Sequence, residues 1–392
     1  MTVYRLMFTL ALCCFSCCLS AIVFSQEQIS DMPAGVDWLA AEYFGEGRPI
    51  VGGVIGVVNG PQCYAKGYGR VSLDDMADNV TDDATVPDID TVYEIASLSK
   101  TFTGVLLGEM AARNELAIDD PLEKFVPSGV AVLRYEGHLV TLRQLATHSS
   151  GLPRLPTDFW NVAGQTPDNP YKNYTGEKIA AFLNSHQPTV APDTRYEYSN
   201  LGASVLGWVF EQKTDMSYEQ LVQERIGKPL GMKSTAVELT ESMRERLAPP
   251  YHVEKERVSN WDLPGFAGGG GLRSTMRDML RFAQASAGVF DAFPELLGQL
   301  DHPLVTGMKT AGELHFEDAA AGRKMGLGWH INDSALNSEL THNGQTGGYR
   351  SFIIVCPKTH RAVVVLTNTA VDDADRLGEA VWNDFDQLFD GD

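Results

Sequence analysis

The stretch YEIASLSKTF, residues 93–102, sets a serine and a lysine three positions apart just where the chain stops carrying charge; the following TFTGVLLG, residues 101–108, has no charged side chain. One helical turn puts residues i and i+3 on the same face, so Ser97 and Lys100 are predicted to point the same way at the start of a helix. Backbone N–H groups are unsatisfied there and favour negative charge, such as an alkoxide or an oxyanion. Further along, Phe102, Val105, Leu106 and Met110 make an apolar face, while Thr101, Gly104, Gly108 and Ala111 make a face of small side chains. Such a helix is buried all round and lets its neighbours approach closely. Burial disfavours an ammonium, so Lys100 is predicted to lose its proton near neutrality and to serve as the base that a serine nucleophile requires. The Ser-x-x-Lys spacing is weak by itself, because an N-cap serine followed by an exposed lysine has the same letters.

Outward from this helix, both chain ends read as strands. VGGVIGVVNG (51–60) and CYAKGYGRVS (63–72) flank Asn59-Gly60, a hairpin signal. YRSFIIVC (349–356) and RAVVVLTN (361–368) are apolar runs separated by PKTH, and a closing helix shows Leu377, Ala380, Val381, Phe385, Leu388 and Phe389 on one face. The middle of the chain is helical in pattern, as in EKIAAFLNSH, LGASVLGWVFEQ and YEQLVQERIGKPL. GFAGGGGLRSTMRDMLRFAQ (265–284) marks the return, with Ser274-Thr275 predicted to cap a helix and the glycine run predicted to make a tight turn. The expected fold is α/β, of the α+β sandwich type. Residues 33–134 and 266–390 form an antiparallel sheet flanked by helices, and residues 135–265 form an inserted, mainly helical domain.

With 51 acidic and 31 basic residues the chain carries a formal net charge of −20. Its mean field repels phosphate, which argues against nucleic acid and anionic membrane surfaces as partners. LMFTLALCCFSCCLSAIVFS follows Arg5 as an apolar run, and Val23 and Ser25 suit a signal peptidase. Residues 1–25 therefore read as an export signal, with an uncleaved membrane anchor as the alternative. The expected location is periplasmic or secreted. Beyond that segment only Cys63 and Cys356 remain. They fall on separate predicted strands and are read as unbridged thiols. The nine histidines show no His-x-His or His-Glu-x-x-His cluster, so no metal is expected, and no cofactor motif is read. No Gly-x-Ser-x-Gly elbow occurs.

Two further stretches give the serine and lysine their context. YEYSNLG supplies Tyr198-Ser199-Asn200, and THNGQTGGYRSF supplies His342-Asn343-Gly344 before an apolar strand. In order and spacing these resemble the three boxes of the penicillin-recognising serine hydrolases, Ser-x-x-Lys, Tyr-x-Asn and Lys-Thr-Gly or its His-x-Gly variant. The resemblance is to the class C branch, which includes class C β-lactamases, DD-peptidases and family VIII carboxylesterases. LATHSSGLP (145–153), RIGKPLGM (225–232), GGGLRSTMRDM (269–279) and GLGW (326–329) look like the same branch, and the likeness runs from about residue 35 to 390.

The resemblance implies a β-lactamase/transpeptidase-like fold and a role for each matching residue. Ser97 would carry the acyl group, and Lys100 and Tyr198 would share the proton work, with either as the base. Asn200 would hold Lys100 and a substrate amide. His342, Gly344 and Gln345 would edge the site on a strand, and the N–H groups of Ser97 and Gln345 would form an oxyanion hole. The implied partner is a small-molecule substrate: a β-lactam, a D-Ala-type peptide or a short-chain ester. A non-catalytic sensor or scaffold is the remaining alternative. The sequence departs from the family pattern in two ways. The third-box lysine is His342, which reads a substrate carboxylate as a cation only when protonated. The glutamine that class C β-lactamases carry soon after Gly-Leu-Pro falls at Leu155. His148, set among turn-forming residues, is assigned to structure.

Overall fold

The computed structural model describes residues 29–74, 86–131, 133–333 and 337–389. The expected export signal over residues 1–25 lies outside them. Among the described residues no helix is long and apolar enough to cross a membrane.

The strands in chain order are β1 (Ile29–Ser30), β2 (Gly52–Asn59), β3 (Gln62–Gly69), β4 (Val92–Glu94), β5 (Arg134–Tyr135), β6 (His138–Leu139), β7 (Arg273–Thr275), β8 (Phe316–Asp318), β9 (Arg323–Met325), β10 (His330–Asp333), β11 (Ser338–Gln345), β12 (Arg350–Cys356) and β13 (Arg361–Thr367). Nine of them form one sheet in the order β1-β3-β2-β13-β12-β11-β10-β9-β8. The two chain ends meet where β2 pairs with β13, as the sequence predicts. Among the described residues every strand pairing in this sheet is antiparallel except one: the two-residue edge strand β1 runs parallel to β3. The β2–β3 hairpin turns on Gly60-Pro61, with Asn59 opposite Gln62 and Gly60 at φ 57°.

The sheet is covered on both faces, so its central strands read as nearly unbroken apolar runs. Alternation sorts them. Val54, Val58, Ile353, Val355, Val364 and Leu366 face one core, which contains the helix Ser99–Ala112. Ile55, Val57, Phe352, Ile354, Val363 and Val365 face the other, under the helices Ala34–Ala40 and Asp373–Asn383. The closing helix breaks at Asp384 and resumes as Phe385–Phe389. Cys63 and Cys356 are both buried and are not joined. β3 and β12 are three strand spacings apart, roughly 14 Å, beyond the reach of a disulfide.

In the helix Ser99–Ala112 every residue from Ser99 to Met110 is buried. Its small face does what the sequence predicts. A Cβ on Gly104 would lie 1.8 Å from the Leu327 carbonyl oxygen, so the GLGW segment packs directly on the helix backbone. Between residues 135 and 265 the chain forms the helices Leu142–Ala146, Gly176–Ser185, Asn200–Thr214, Tyr218–Val222 and Glu241–Glu245 with long connecting loops. It returns through Ala267–Gly270, a short helical turn where a tight turn was expected, into β7. β7 pairs with β4, Tyr93 opposite Ser274, which brings the glycine run beside the serine. Thr275 then caps the helix Met276–Ser286, accepting a hydrogen bond from the Asp278 N–H, while Ser274 stays in the strand.

Candidate active site

Ser97 lies in a single 3-10 turn, Ala96–Leu98, and the helix begins at Ser99, two residues later than the sequence suggests. Ala96 has φ 47°, a left-handed conformation that costs a residue with a side chain. The turn is held from several sides. The Ser99 hydroxyl donates to the Ala96 carbonyl at 2.7 Å, Ser351 Oγ donates to the Ile95 carbonyl at 2.8 Å, and the Ile95 N–H donates to the Leu272 carbonyl at 3.0 Å. Ser97 alone in this turn keeps partial exposure, so its hydroxyl faces the cleft.

Lys100 is 1% exposed, and its Nζ lies 3.0 Å from Ser97 Oγ. It also donates to the Gly269 carbonyl. Burial, with a smaller push from Arg154, holds the amine well below the usual lysine range. Tyr198 sits across from it, its ring centroid 5.0 Å from Nζ. Burial raises the phenol above its ordinary value, with a hydrogen bond from Ser97 and the Arg154 charge pulling the other way. Burial thus shifts the pair in opposite senses: it favours the free amine on Lys100 and the protonated phenol on Tyr198.

The loop around His148 positions Tyr198. The Glu197 N–H donates to the His148 carbonyl at 2.8 Å, and the Ser199 N–H donates to His148 Nδ1 at 3.1 Å. The Ser199 hydroxyl donates to the Pro153 carbonyl at 2.7 Å and itself caps the helix Asn200–Thr214. The imidazole lies 4.5 Å from the Tyr198 ring. His148 therefore supports the site through packing, as its sequence neighbours suggest.

On β11 the period of two points Leu340, His342 and Gly344 inward and Thr341, Asn343 and Gln345 outward. Gly344 faces the serine turn. A Cβ there would lie 2.5 Å from the Ile95 carbonyl oxygen and 2.9 Å from the Ser97 nitrogen, so only glycine lets the strand and the turn come together. His342 is 2% exposed. Its Nδ1–H donates to the Asn343 carbonyl at 2.6 Å, and Nε2 is buried without a partner. Burial first, then His330 and Lys100, hold this imidazole well below the ordinary histidine range. The protonated His342 that a carboxylate-reading third box needs is therefore disfavoured by position.

Asn200 departs from expectation as well. Its Nδ2 donates to the Tyr171 hydroxyl at 3.3 Å, and its Oδ1 is buried without a partner, while Lys100 uses the Gly269 carbonyl. The glycine run that the sequence marks as a turn thus delivers a carbonyl to the lysine. Gln345 Oε1 accepts from Arg350 at 2.6 Å, and Arg350 is also clamped by Asp375.

A cleft of about 530 Å³ opens onto Ser97, Tyr198, Asn200, His342 and Gln345. Lys100 and Gly344 stand just behind its wall. Arg154, Tyr196, Trp261, Arg323 and His330 also line it; Tyr196 opens the quoted YEYSNLG without a role read for it, and the motifs miss the other four. For two of them a signal lay next door: Arg154 directly follows LATHSSGLP, and His330 directly follows GLGW. No group of histidines, cysteines and carboxylates among the described residues is placed to hold a metal ion.

Comparison with known proteins gives the same picture. The family described as Beta-lactamase matches residues 40–384. A β-lactamase of Escherichia coli K12 is 26% identical over 324 residues, covering 74% of this chain and 79% of its own. The D-alanyl-D-alanine-carboxypeptidase/endopeptidase AmpH of the same strain is 28% identical over 342 residues, covering 84% and 82%. The crystal structure of a β-lactamase/D-alanine carboxypeptidase from Yersinia pestis, complexed with citrate, superposes with a TM-score of 0.70 at 22% identity, over 90% of this chain and 98% of its own, a likeness of fold. The chain belongs to the beta-lactamase family of serine hydrolases.

Proposed function

We propose that this protein is a class C-type hydrolase that forms an acyl-enzyme on Ser97 and returns it to water, acting on an amide such as a β-lactam or a D-Ala-type peptide. One observation carries the reading: a buried lysine amine, its ammonium form disfavoured by burial, lies 3.0 Å from Ser97 Oγ. In the first step Ser97 Oγ attacks the acyl carbon and its proton passes to Lys100. The carbonyl oxygen becomes an oxyanion facing the N–H groups of Ser97 and Gln345. Collapse breaks the bond to the leaving group, which takes a proton through Tyr198. Water then attacks the ester by the same path in reverse. Asn200, with its unpartnered Oδ1, would accept from a substrate amide N–H.

The walls come from the two parts of the chain read from sequence. The α/β part (33–134 and 266–390) supplies Ser97, Lys100 and β11, and the inserted part (135–265) supplies Tyr198 and Asn200. The relatives named above act on β-lactams or D-alanyl peptides by their names, which favours the amide reading. The neutral His342 favours a second reading, hydrolysis of uncharged short-chain esters. Export to the periplasm or the medium would suit a D-Ala-type wall peptide.

The test compares kcat/KM of the purified protein for nitrocefin, a D-Ala-D-Ala peptide and a p-nitrophenyl ester, alongside labelling of Ser97 by a fluorophosphonate. Turnover of either amide at a rate within tenfold of the ester supports the proposal. Turnover of the ester alone selects the esterase reading. Labelling of Ser97 with negligible turnover of all three substrates points to a sensor, and no labelling overturns the acyl-enzyme altogether.

A further inference from the structure

The cleft contains three arginines, and they are not alike. Arg350 is neutralised: Asp375 holds its Nε at 2.8 Å and Asp372 its Nη1 at 3.1 Å. Arg154 and Arg323 have no carboxylate within ion-pair distance among the described residues, although the chain has 20 more acidic than basic side chains. Both are exposed at the cleft rim. They come from separate parts of the fold, Arg154 from the loop that tethers Tyr198 and Arg323 from β9.

The two charges converge. The Arg154 guanidinium lies 5.0 Å from the centroid of the Tyr198 ring. The Tyr196 phenol is raised to about 12, by burial first, with both Arg323 and Arg154 pulling the other way. Arg323 also acts on His330, which lies 6.2 Å from both tyrosine rings. Tyr196 and His330 are therefore the floor between two unneutralised guanidinium groups. Beyond β11 the cleft is acidic, with Asp375 and the exposed Glu379. Two like charges on one rim repel, and a bound carboxylate relieves that repulsion while accepting charge-assisted hydrogen bonds from planar forks. His342, buried and neutral, offers no such cation.

We propose that Arg154 and Arg323 are the specificity-determining pair of this cleft, and that the substrate carries a carboxylate which they bind over Tyr196 and His330. The assignment rests on the acyl-enzyme reading of Ser97 for its place in turnover. It moves the recognition of charge away from the third box and onto two elements outside the motifs.

The experiment uses 3-acetoxybenzoate and its methyl ester, two aryl esters that differ in the leaving-group charge. They are tested on the wild type and on Arg154→Gln, Arg323→Gln and the double variant, each checked by thermal unfolding. The wild type is expected to favour the anion in kcat/KM by about tenfold or more, the scale of one charge-assisted hydrogen bond. That preference should shrink in each single variant and vanish in the double one, and added salt should weaken it in the wild type. No preference in the wild type, or one retained by the double variant, overturns the proposal. If neither ester turns over and the fluorophosphonate leaves Ser97 unlabelled, the hydrolase reading has failed separately. Calorimetric binding of 3-hydroxybenzoate against methyl 3-hydroxybenzoate then decides the arginine pair without turnover. Loss of anion binding in the double variant supports the pair, and unchanged binding overturns it.

Discussion

The inner wall of the cleft and its outer rim handle polar groups in opposite ways. On the inner wall Lys100, His342 and His148 are buried, and each is held below its ordinary pKa because desolvation penalises the cation. On the rim Arg154, Arg323 and Arg350 stay charged beside water or beside carboxylates. An amine whose charged form is disfavoured, next to a serine, suits a base; an exposed guanidinium suits the reading of charge. Chemistry and recognition are thus separated by depth, over a distance of one aromatic ring, that of Tyr198.

The sharpest way to break the comparison is at the serine. Ser97→Ala should abolish acyl-enzyme formation with the fold intact, read by mass spectrometry after exposure to a covalent serine reagent. An adduct that persists would move the nucleophile elsewhere.

Lys100→Ala and Tyr198→Phe should each slow acylation by about 100-fold or more, the range of general acid–base catalysis. The double variant should lose far less than the product, because both act on one proton path. With the amine acting as the free base, as proposed, the rate should fall as pH drops through its depressed folded-state pKa, and Lys100→Ala should remove that acid limb. Independent, multiplicative losses would show two separate roles.

The junction between β11 and the serine turn is tested by Gly344→Ala. The added Cβ would meet the Ile95 carbonyl and the Ser97 nitrogen, so the oxyanion donors must shift. A loss of about 100-fold in kcat, with KM changed far less, is the expected scale for misplacement near the reacting atoms. Unaltered kcat would remove the strand from the site.

The next contrast concerns charge. Because His342 is kept neutral, KM for an anionic substrate should stay flat between pH 6 and 8, the arginines carrying the recognition across that range. A KM that rises with pH around the ordinary histidine value would return recognition to His342.

The smallest effect is on stability. His330 is lowered from 6.5 to about 4 by burial and by Arg323 and Lys100. The unfolded chain therefore binds the proton first. Stability is fully present above about pH 6.5 and is lost as pH falls toward 4. Thermal unfolding of His330→Gln against wild type at pH 7 and pH 4.5 should show a smaller acid-induced drop in the variant. Equal drops would mean that His330 is protonated in the native cleft.

The sequence by itself determined the sheet, the helix and the chemistry. Strands buried on both faces must be apolar throughout, and VGGVIGVVNG and RAVVVLTN carry that signature in their letters. The uncharged run over residues 101–108 told that Lys100 is buried, and burial is the main cause of its lowered pKa. What the sequence left unread are contacts between residues far apart. The Gly269 carbonyl on Lys100 spans 169 positions, and it exists because β7 pairs with β4. The letters of the third box gave a histidine but not its environment; burial first, then the neighbouring His330 and Lys100, disfavour its protonated form. Arg154 and Arg323 are ordinary surface residues in sequence. Only the tertiary structure brings their charges to one rim, because a motif records spacing along the chain whereas an electrostatic field depends on distance through space.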